Sequence, residues 1–262
     1  MKDLTACVVV RTGAEDATAL AEATGLAEPS VASVCRPLVI GLLSVIDDPA
    51  VGVVAGSPRH AHVRVELLAP APLDVDLQVT ASLRRAARLG AADGLWIDVD
   101  VDGPGGGVLR SRHVVAADLN RRPQQRGSLP KQHRRLPGAE AAGSFSVTRA
   151  VLAAYRQAAA DTSPAHQSGR VDDNDDNDEG DTGFIVPGLL SLLGSVAVLP
   201  GSVTVPTELR ARFLRPLPVG AAAEVAFAPN RGERAWTVTA GDPARTVLAA
   251  TATDLAKART RG

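Results

Sequence analysis

An aspartate and a histidine lie five residues apart in the second half of the chain. Between Asp161 and His166, Pro164 disfavours helical backbone angles at Ser163, so a preceding helix should end at about Asp161. The chain then turns, and the His166 imidazole can return towards the Asp161 carboxylate. A carboxylate and an imidazole in one short turn can hold a water molecule between them and move its protons. The alternative is a solvated turn with a surface histidine, and the pair alone does not decide between the two.

Two helices are predicted around this pair. The first covers residues 148–160, with Thr148 as a candidate N-cap, and its sequence TRAVLAAYRQAAA has good helix propensity. The second is the apolar segment Leu189–Leu199, which follows Pro187 and Gly188. The first N–H groups of such a helix have no partner inside it, and the helix dipole favours negative charge there. The start of the second helix can therefore stabilise a developing anion.

A weak internal repeat relates the two halves of the chain. The sequence VRVELLAPAPL at 63–73 matches LRARFLRPLPV at 209–219, with its paired prolines at an offset of 146 residues, and the string GLLS occurs at both 41–44 and 188–191. In each copy an apolar helix precedes several strand-like stretches, which indicates an α+β unit whose antiparallel sheet encloses one helix. We therefore predict two copies of one domain, at residues 1–118 and 143–262. The alternative is chance similarity between strands rich in valine and alanine.

Two irregular segments interrupt this pattern. Residues 119–142 contain six Lys or Arg and three prolines, and they are predicted to be an exposed linker. A functional alternative is that the arginines of this linker meet the phosphates of a carrier. Residues 172–181 contain seven acids, but a calcium loop that starts at Asp175 would need Glu at its twelfth position, where Val186 stands. We therefore expect a mobile, solvated loop there and no metal site.

The composition favours a globular protein that works without nucleic acid or a membrane. Hydrophobic residues make up 45% of the chain and charged residues 22%, and the net charge is −1. No apolar run reaches the ~18 residues of a membrane helix, and the N-terminus does not have the pattern of a signal peptide. Cys7 and Cys35 are not spaced as a metal or redox pair and are expected to be buried thiols. These features together predict a cytoplasmic location.

The segment around the Asp–His pair resembles the signature of MaoC-like hydratases, in which a helix with a central tyrosine leads into Asp-x-x-Pro-x-His. The central helix of that family usually begins with His-Gly-Met, where this chain has Pro187-Gly188-Leu189. The resemblance covers about residues 144–256, with a decayed copy at 8–118, and it implies a double hotdog, in which two hotdog units lie side by side. Four residues carry the signature: Tyr155, Asp161, Pro164 and His166.

The resemblance also implies a site and a reaction. Asp161 and His166 correspond to the catalytic pair, and Gly188 to the glycine whose N–H meets a thioester carbonyl, with Pro187 beside it. Ser191 either orients Asp161 by a hydrogen bond or bonds its own helix backbone. The implied reaction is hydration of a 2-enoyl thioester to the (R)-3-hydroxyacyl thioester, or the reverse dehydration. No cofactor is expected beyond the coenzyme A or acyl carrier protein that forms part of the substrate.

The first copy is expected to lack the catalytic pair. At the repeat offset it has Glu15 and Leu20, so we predict one site per chain, with the first half as the other wall of an acyl tunnel. The chain would be a monomer or a homodimer. Departures from the family pattern, such as Ala160 where glycine is common, point to altered substrate choice or lost activity. A thioesterase and a non-catalytic acyl-binding subunit of a hydratase complex are the alternatives.

Overall fold

The computed structural model describes residues 4–53, 58–89, 92–117, 136, 138–163, 166, 184–200, 207–230, 233–241 and 244–254. The predicted acidic loop and most of the predicted linker lie outside these residues. The last residues assigned to the linker belong to a strand, which begins at Glu140.

The first half begins with a strand and three helices and continues with four long strands. The short helix α2 has proline at its start, a position where the missing proline N–H costs nothing. The elements are β1 (Leu4–Arg11), α1 (Ala14–Thr24), α2 (Pro29–Ala32), α3 (Cys35–Ile46), β2 (Arg59–Leu67), β3 (Asp76–Leu89), β4 (Ala92–Gly103) and β5 (Gly106–Ala117).

The second half repeats this order without a counterpart of α2 among the described residues. Its first helix is capped as predicted, because the Thr148 hydroxyl accepts a hydrogen bond from the Val151 N–H at 3.2 Å. The elements are β6 (Glu140–Phe145), α4 (Arg149–Ala159), α5 (Gly188–Ala197), β7 (Thr207–Phe213), β8 (Ala223–Asn230), β9 (Glu233–Ala240) and β10 (Arg245–Asp254).

All ten strands form one antiparallel sheet. Its order is β1-β3-β4-β5-β2-β7-β10-β9-β8-β6, so the strands of the second half mirror those of the first half across the β2–β7 pair. Each half-sheet packs on its own apolar helix, α3 in the first half and α5 in the second. The fold is therefore a double hotdog, and the prediction of this fold class is confirmed.

The central helices are buried because their sequences are apolar on almost every side. In α5 every residue from Leu189 to Val196 is buried, and in α3 the backbone approaches the sheet at Gly41. A Cβ at Gly41 would lie 2.8 Å from Val99 and 2.9 Å from Val79. Burial of each leucine or valine of these helices contributes about 1.5–3 kcal/mol relative to an exposed side chain. The helix ends are thus held firmly against the sheet.

A charged cluster stabilises the seam where the two halves meet. Glu208 of β7 is 4% exposed and accepts two hydrogen bonds from Arg64 of β2, at 2.7 and 3.0 Å. Arg210 also donates to Glu208, and Arg64 reaches Glu66 on its own strand at 2.7 Å. Because the register places Arg64 opposite Arg210 and Glu66 opposite Glu208, opposite charges meet only along and diagonally across the strands. A slip of the register by one residue would separate the pair that crosses the seam, Arg64 and Glu208.

One prediction about the cysteines is wrong. Cys35 is buried, but Cys7 is exposed, because β1 alternates between core and solvent and Cys7 lies on its solvent side. Among the described residues, no helix combines the length and the apolar character that a membrane crossing requires.

Candidate active site

The Asp161–His166 pair forms at the end of α4. Ala160 has left-handed angles (φ 56°, ψ 38°), its N–H donates to Gln157 O, and the Asp161 N–H donates to Arg156 O at 2.8 Å. This is a Schellman ending, in which the helix itself fixes where the next residue lies. The left-handed angles also explain why a glycine would suit position 160. The helix ending therefore sets the position of the Asp161 backbone.

The carboxylate of Asp161 is buried, and each of its oxygens has a hydrogen-bond partner within its own turn. Its Oδ2 lies 2.7 Å from His166 Nδ1, and its Oδ1 accepts a hydrogen bond from the Ser163 N–H at 3.0 Å. The His166 N–H returns to Ser163 O at 3.1 Å, which closes the turn. The structure thus brings Asp161 and His166 together as the sequence predicts, with Asp161 5% exposed.

Opposing effects set the pKa of Asp161. Burial raises it, but the hydrogen bond and charge of His166, the Ser163 N–H and the Arg156 guanidinium together lower it further, so the pKa lies below its usual value. Asp161 is therefore a carboxylate at neutral pH. The carboxylate accepts a hydrogen bond from the Nδ1–H of His166. In the neutral ring the other nitrogen, Nε2, then has no proton and can accept a hydrogen bond.

The first half helps to hold the end of α4 in place. Arg36 of α3 donates from Nη1 to Ala158 O at 2.7 Å, and the same nitrogen lies 3.1 Å from Asp16 of α1. A cation suits the last carbonyls of a helix, where the dipole is negative. Arg36 therefore links the helix that carries the candidate pair to two helices of the other half.

The start of α5 provides the second part of the site. Pro187 is the N-cap and is buried, Gly188 is the first helical residue, and the Ser191 N–H already donates to Pro187 O at 2.9 Å. The segment before the helix is fixed by the Val186 N–H, which donates to Leu217 O at 2.9 Å. The predicted roles of Gly188, Pro187 and Ser191 stay predictions. The Asp161 contacts described above are with His166 and Ser163, and Ser191 lies buried in α5.

Gly188 is closely covered by two aromatic rings. A Cβ built at Gly188 would lie 3.1 Å from His60 Nδ1 and Cβ and 3.2 Å from Phe213. The rings of His60 and Phe213 also contact each other, with centroids 5.6 Å apart. A side chain at position 188 would therefore press these rings aside by a few tenths of an ångström, so glycine favours the close approach.

Sequence reasoning missed His60, which lies between the two parts of the site. It is in contact with Gly188, and the charges of both His166 and Asp161 act on it. Its Nε2 lies 3.3 Å from Nδ1 of the fully buried His113, whose Nε2 lies 2.9 Å from Ser111 Oγ. A signal was present in the sequence, since three of the five histidines belong to the first half, where they lie on strands β2 and β5.

The comparison of the two halves needs one correction. The residues aligned with the pair at the repeat offset, Glu15 and Leu20, lie within α1 and not after it. The helices α1 and α4 have the same length and both end in a left-handed residue, Gly25 and Ala160, so Leu26 is the counterpart of Asp161. The offset of 146 residues fails here because the segments between the first and central helices differ in length. Leucine has no acid–base chemistry, so the described first half lacks this carboxylate.

A shallow groove runs from the turn after α4 to the end of α3. Asp47, the C-cap of α3, faces it, and burial followed by the charge of Asp161 raises the pKa of Asp47. The first half therefore forms one wall of the surface next to the candidate pair. The groove is lined by Ile40, Leu43, Ser44, Asp47, Asp48, Ala160 and Thr162.

Solved structures share this fold at low sequence identity. HtdX of Mycobacterium tuberculosis is 15% identical over 96% of this chain and 100% of its own, with a TM-score of 0.75. A MaoC-like dehydratase from Phytophthora capsici is 14% identical over 98% and 97%, with a TM-score of 0.65. An acyl-ACP thioesterase from Bacteroides thetaiotaomicron is 9% identical over 95% and 97%, with a TM-score of 0.52. The chain thus has the fold of MaoC-like dehydratases, a fold that also occurs in a thioesterase.

No protein-family model matches the sequence, and no curated protein matches it.

Proposed function

We propose that this double-hotdog chain is a MaoC-like enzyme that adds water to a 2-enoyl thioester, or removes it from the (R)-3-hydroxyacyl thioester. The observation that carries the proposal is the buried Asp161–His166 pair, 2.7 Å between Oδ2 and Nδ1, at the end of α4. The likeness in fold to MaoC-like dehydratases supports the same reaction class.

Asp161 and His166 carry out the acid–base step. A water molecule bound beside the Asp161–His166 hydrogen bond attacks C3 of the enoyl group, and Asp161, which is ionised at neutral pH, accepts its proton. His166 holds the same water and helps to deliver a proton to C2. Addition then places one hydroxyl on C3 and one hydrogen on C2, and the pair returns to its initial protonation state.

The start of α5 stabilises the charge that this step creates. Attack at C3 moves negative charge onto the thioester oxygen, and the Gly188 N–H lies at a helix N-terminus, where donors and the helix dipole favour such charge. The thioester supplies the electronic activation, so we propose no cofactor beyond coenzyme A or acyl carrier protein as part of the substrate. A monomer or a homodimer suits this site, which one chain provides.

The test is loss of enoyl-thioester absorbance when the purified chain meets a short 2-enoyl-CoA. Asp161→Asn and His166→Ala should each lower turnover by about 10³-fold, within the ~10²–10⁴ that acid–base catalysis contributes. Glu15→Gln is the matched control, because it removes an exposed carboxylate from α1 and should leave turnover unchanged.

A measurement of free thiol in the same reactions separates the alternatives. Thiol release at the rate of absorbance loss would replace the hydratase by a thioesterase, the activity named for one chain of the same fold. Turnover that survives both substitutions would refute the role of the pair. No turnover with either coenzyme A or acyl carrier protein thioesters, despite binding, would point to a non-catalytic subunit.

A further inference from the structure

The half-buried His60 and the fully buried His113 of the first half form a hydrogen-bonded chain that the proposed reaction does not use. The chain runs from His60 through His113 to Ser111, and the Ser111 hydroxyl donates to Val99 O at 3.1 Å. Burial holds the pKa of His113 well below its usual value. Burial, followed by the charge of His166, lowers the pKa of His60 to about 4. Both rings are therefore neutral at pH 7.

A β-bulge turns His60 towards the core. In the β2–β5 ladder His60 pairs with Val115 and His62 with Val114, so Ala61 is an extra residue. On the inner face of the sheet, Val115 continues the row that contains His113 and Ser111, and His60 joins that row because of the bulge. His62 falls on the outer face, near Arg210 and Arg212. The two histidines of β2 are thus sent to opposite sides of the sheet.

The hydrogen bonds determine the tautomer of each ring. Because the Ser111 proton is used on Val99 O, the Ser111 oxygen must accept, so His113 carries its proton on Nε2. The Nδ1 of a neutral His113 is then bare and must accept from His60, which places the proton of His60 on Nε2. The Nδ1 of His60 is left without a proton, and this edge of the ring faces Gly188.

We propose that His60 is a hydrogen-bond acceptor that the first half adds to the active site. Its Nδ1 accepts a hydrogen bond from the hydroxyl of a bound 3-hydroxyacyl thioester. The inference rests on the proposed function. The bare Nδ1 has a lone pair and no proton, so it binds a hydrogen-bond donor, whereas the thioester carbonyl is an acceptor and stays at the Gly188 N–H. In a short 3-hydroxyacyl group the hydroxyl is the donor. His113 and Ser111 are positioning residues, because they hold His60 in this tautomer.

A first experiment tests the tautomer without any ligand. In protein with ¹⁵N-labelled histidine, the nitrogen shifts at pH 7 should show His60 and His113 each with a protonated Nε2 and a bare Nδ1. Ser111→Ala removes the acceptor for His113 and should change this pattern. A protonated Nδ1 on His60 in the unchanged protein would overturn the proposal.

A second experiment tests the ligand, in an Asp161→Asn background that prevents turnover. The affinity for 3-hydroxybutyryl-CoA is compared with that for butyryl-CoA, which lacks the hydroxyl. His60→Leu should lower the preference for the hydroxyl ligand about tenfold, the size of one net hydrogen bond, and leave butyryl-CoA binding unchanged. His60→Asn has about the shape of the leucine variant but keeps an acceptor oxygen near the Nδ1 position, so it should retain most of the preference for the hydroxyl ligand.

His62→Leu is the matched control, because it lies two residues away on the outer face and should change neither affinity. An unchanged preference in His60→Leu, together with hydratase turnover in the wild type, would overturn the role of His60 alone. An equal loss of affinity for both ligands in His60→Leu and His60→Asn would show that His60 only maintains the structure, and it would overturn the proposal. Failure of every variant to bind either ligand, with no turnover in the wild type, would overturn the proposed function as well.

Discussion

The two halves have nearly the same elements but different chemistry at corresponding places. After the first helix, the second half has the hydrogen-bonded pair Asp161–His166, and the first half has Leu26. Facing the central helix of the second half, the first half instead offers His60 and His113, which are neutral. The difference teaches that a site shared by two domains divides its work. In the proposed reaction, one domain provides the proton transfer, and the other provides a wall with a fixed hydrogen-bonding pattern.

The string GLLS, common to both halves, provides the prediction with the largest expected effect. Gly188 is the first residue of α5, whereas Gly41 is the seventh residue of α3. Gly188→Ala should lower turnover about tenfold, because its Cβ would press His60 and Phe213 aside next to the N–H that is proposed to bind the thioester oxygen.

Gly41→Ala should act on stability instead. Its Cβ would lie 2.8 Å from Val99, and overpacking of this kind costs about 1–3 kcal/mol in the free energy of unfolding. Urea unfolding and enoyl-thioester turnover, measured on both variants, check the contrast. If Gly41→Ala lost turnover without losing stability, the contrast between Gly188 and Gly41 would be contradicted.

The neutral histidines of the first half predict a dependence of stability on pH. Their folded pKa values lie below the unfolded value of about 6.5, so their contribution is complete above pH 6.5 and is lost as pH falls towards 4. The free energy of unfolding should fall by about 1–2 kcal/mol for each histidine between pH 7 and pH 5. The lowered pKa of Asp161 changes the free energy of unfolding only at pH values below this range.

Urea midpoints at pH 7 and pH 5 measure this effect, with His113→Leu as the test variant. The variant should show about half of the wild-type change with pH, since His60 still titrates under the charges of His166 and Asp161. His62, whose pKa is also lowered, is more exposed and should contribute less. The same pH dependence in wild type and variant would contradict the assignment to buried histidines.

The smallest effect concerns the two left-handed helix ends. Gly25 has φ +74° and Ala160 has φ +56°, so only the second carries a side chain in strained backbone. Ala160→Gly should raise the free energy of unfolding by up to about 1 kcal/mol, and Gly25→Ala should lower it by about 1–2 kcal/mol. Thermal unfolding of both variants measures whether Ala160→Gly is stabilising and Gly25→Ala destabilising. Destabilisation by Ala160→Gly would show that Ala160 has packing that outweighs the strain.

Local contacts were predictable from the sequence, and contacts that depend on sheet register were not. Asp161 and His166 are five residues apart on either side of Pro164, so one turn joins them. His60 and His113 are 53 residues apart, and they meet because Ala61 forms a bulge, which no spacing of residue types indicated. The pairing of Glu15 with Asp161 was wrong because a constant offset assumes equal loop lengths. The fold itself followed from the repeat and from the resemblance to a known signature.

The join between the halves has a consequence for the way the chain reaches its native state. Strand β2 pairs with β5 on one side, but its other partner, β7, lies about 145 residues later in the chain. During synthesis β2 is therefore an open edge until most of the protein has emerged, and open edges recruit other strands. The charges of Arg64 and Glu66 on this edge disfavour adhesion between nascent chains, and the late arrival of Glu208 gives Arg64 its partner across the seam.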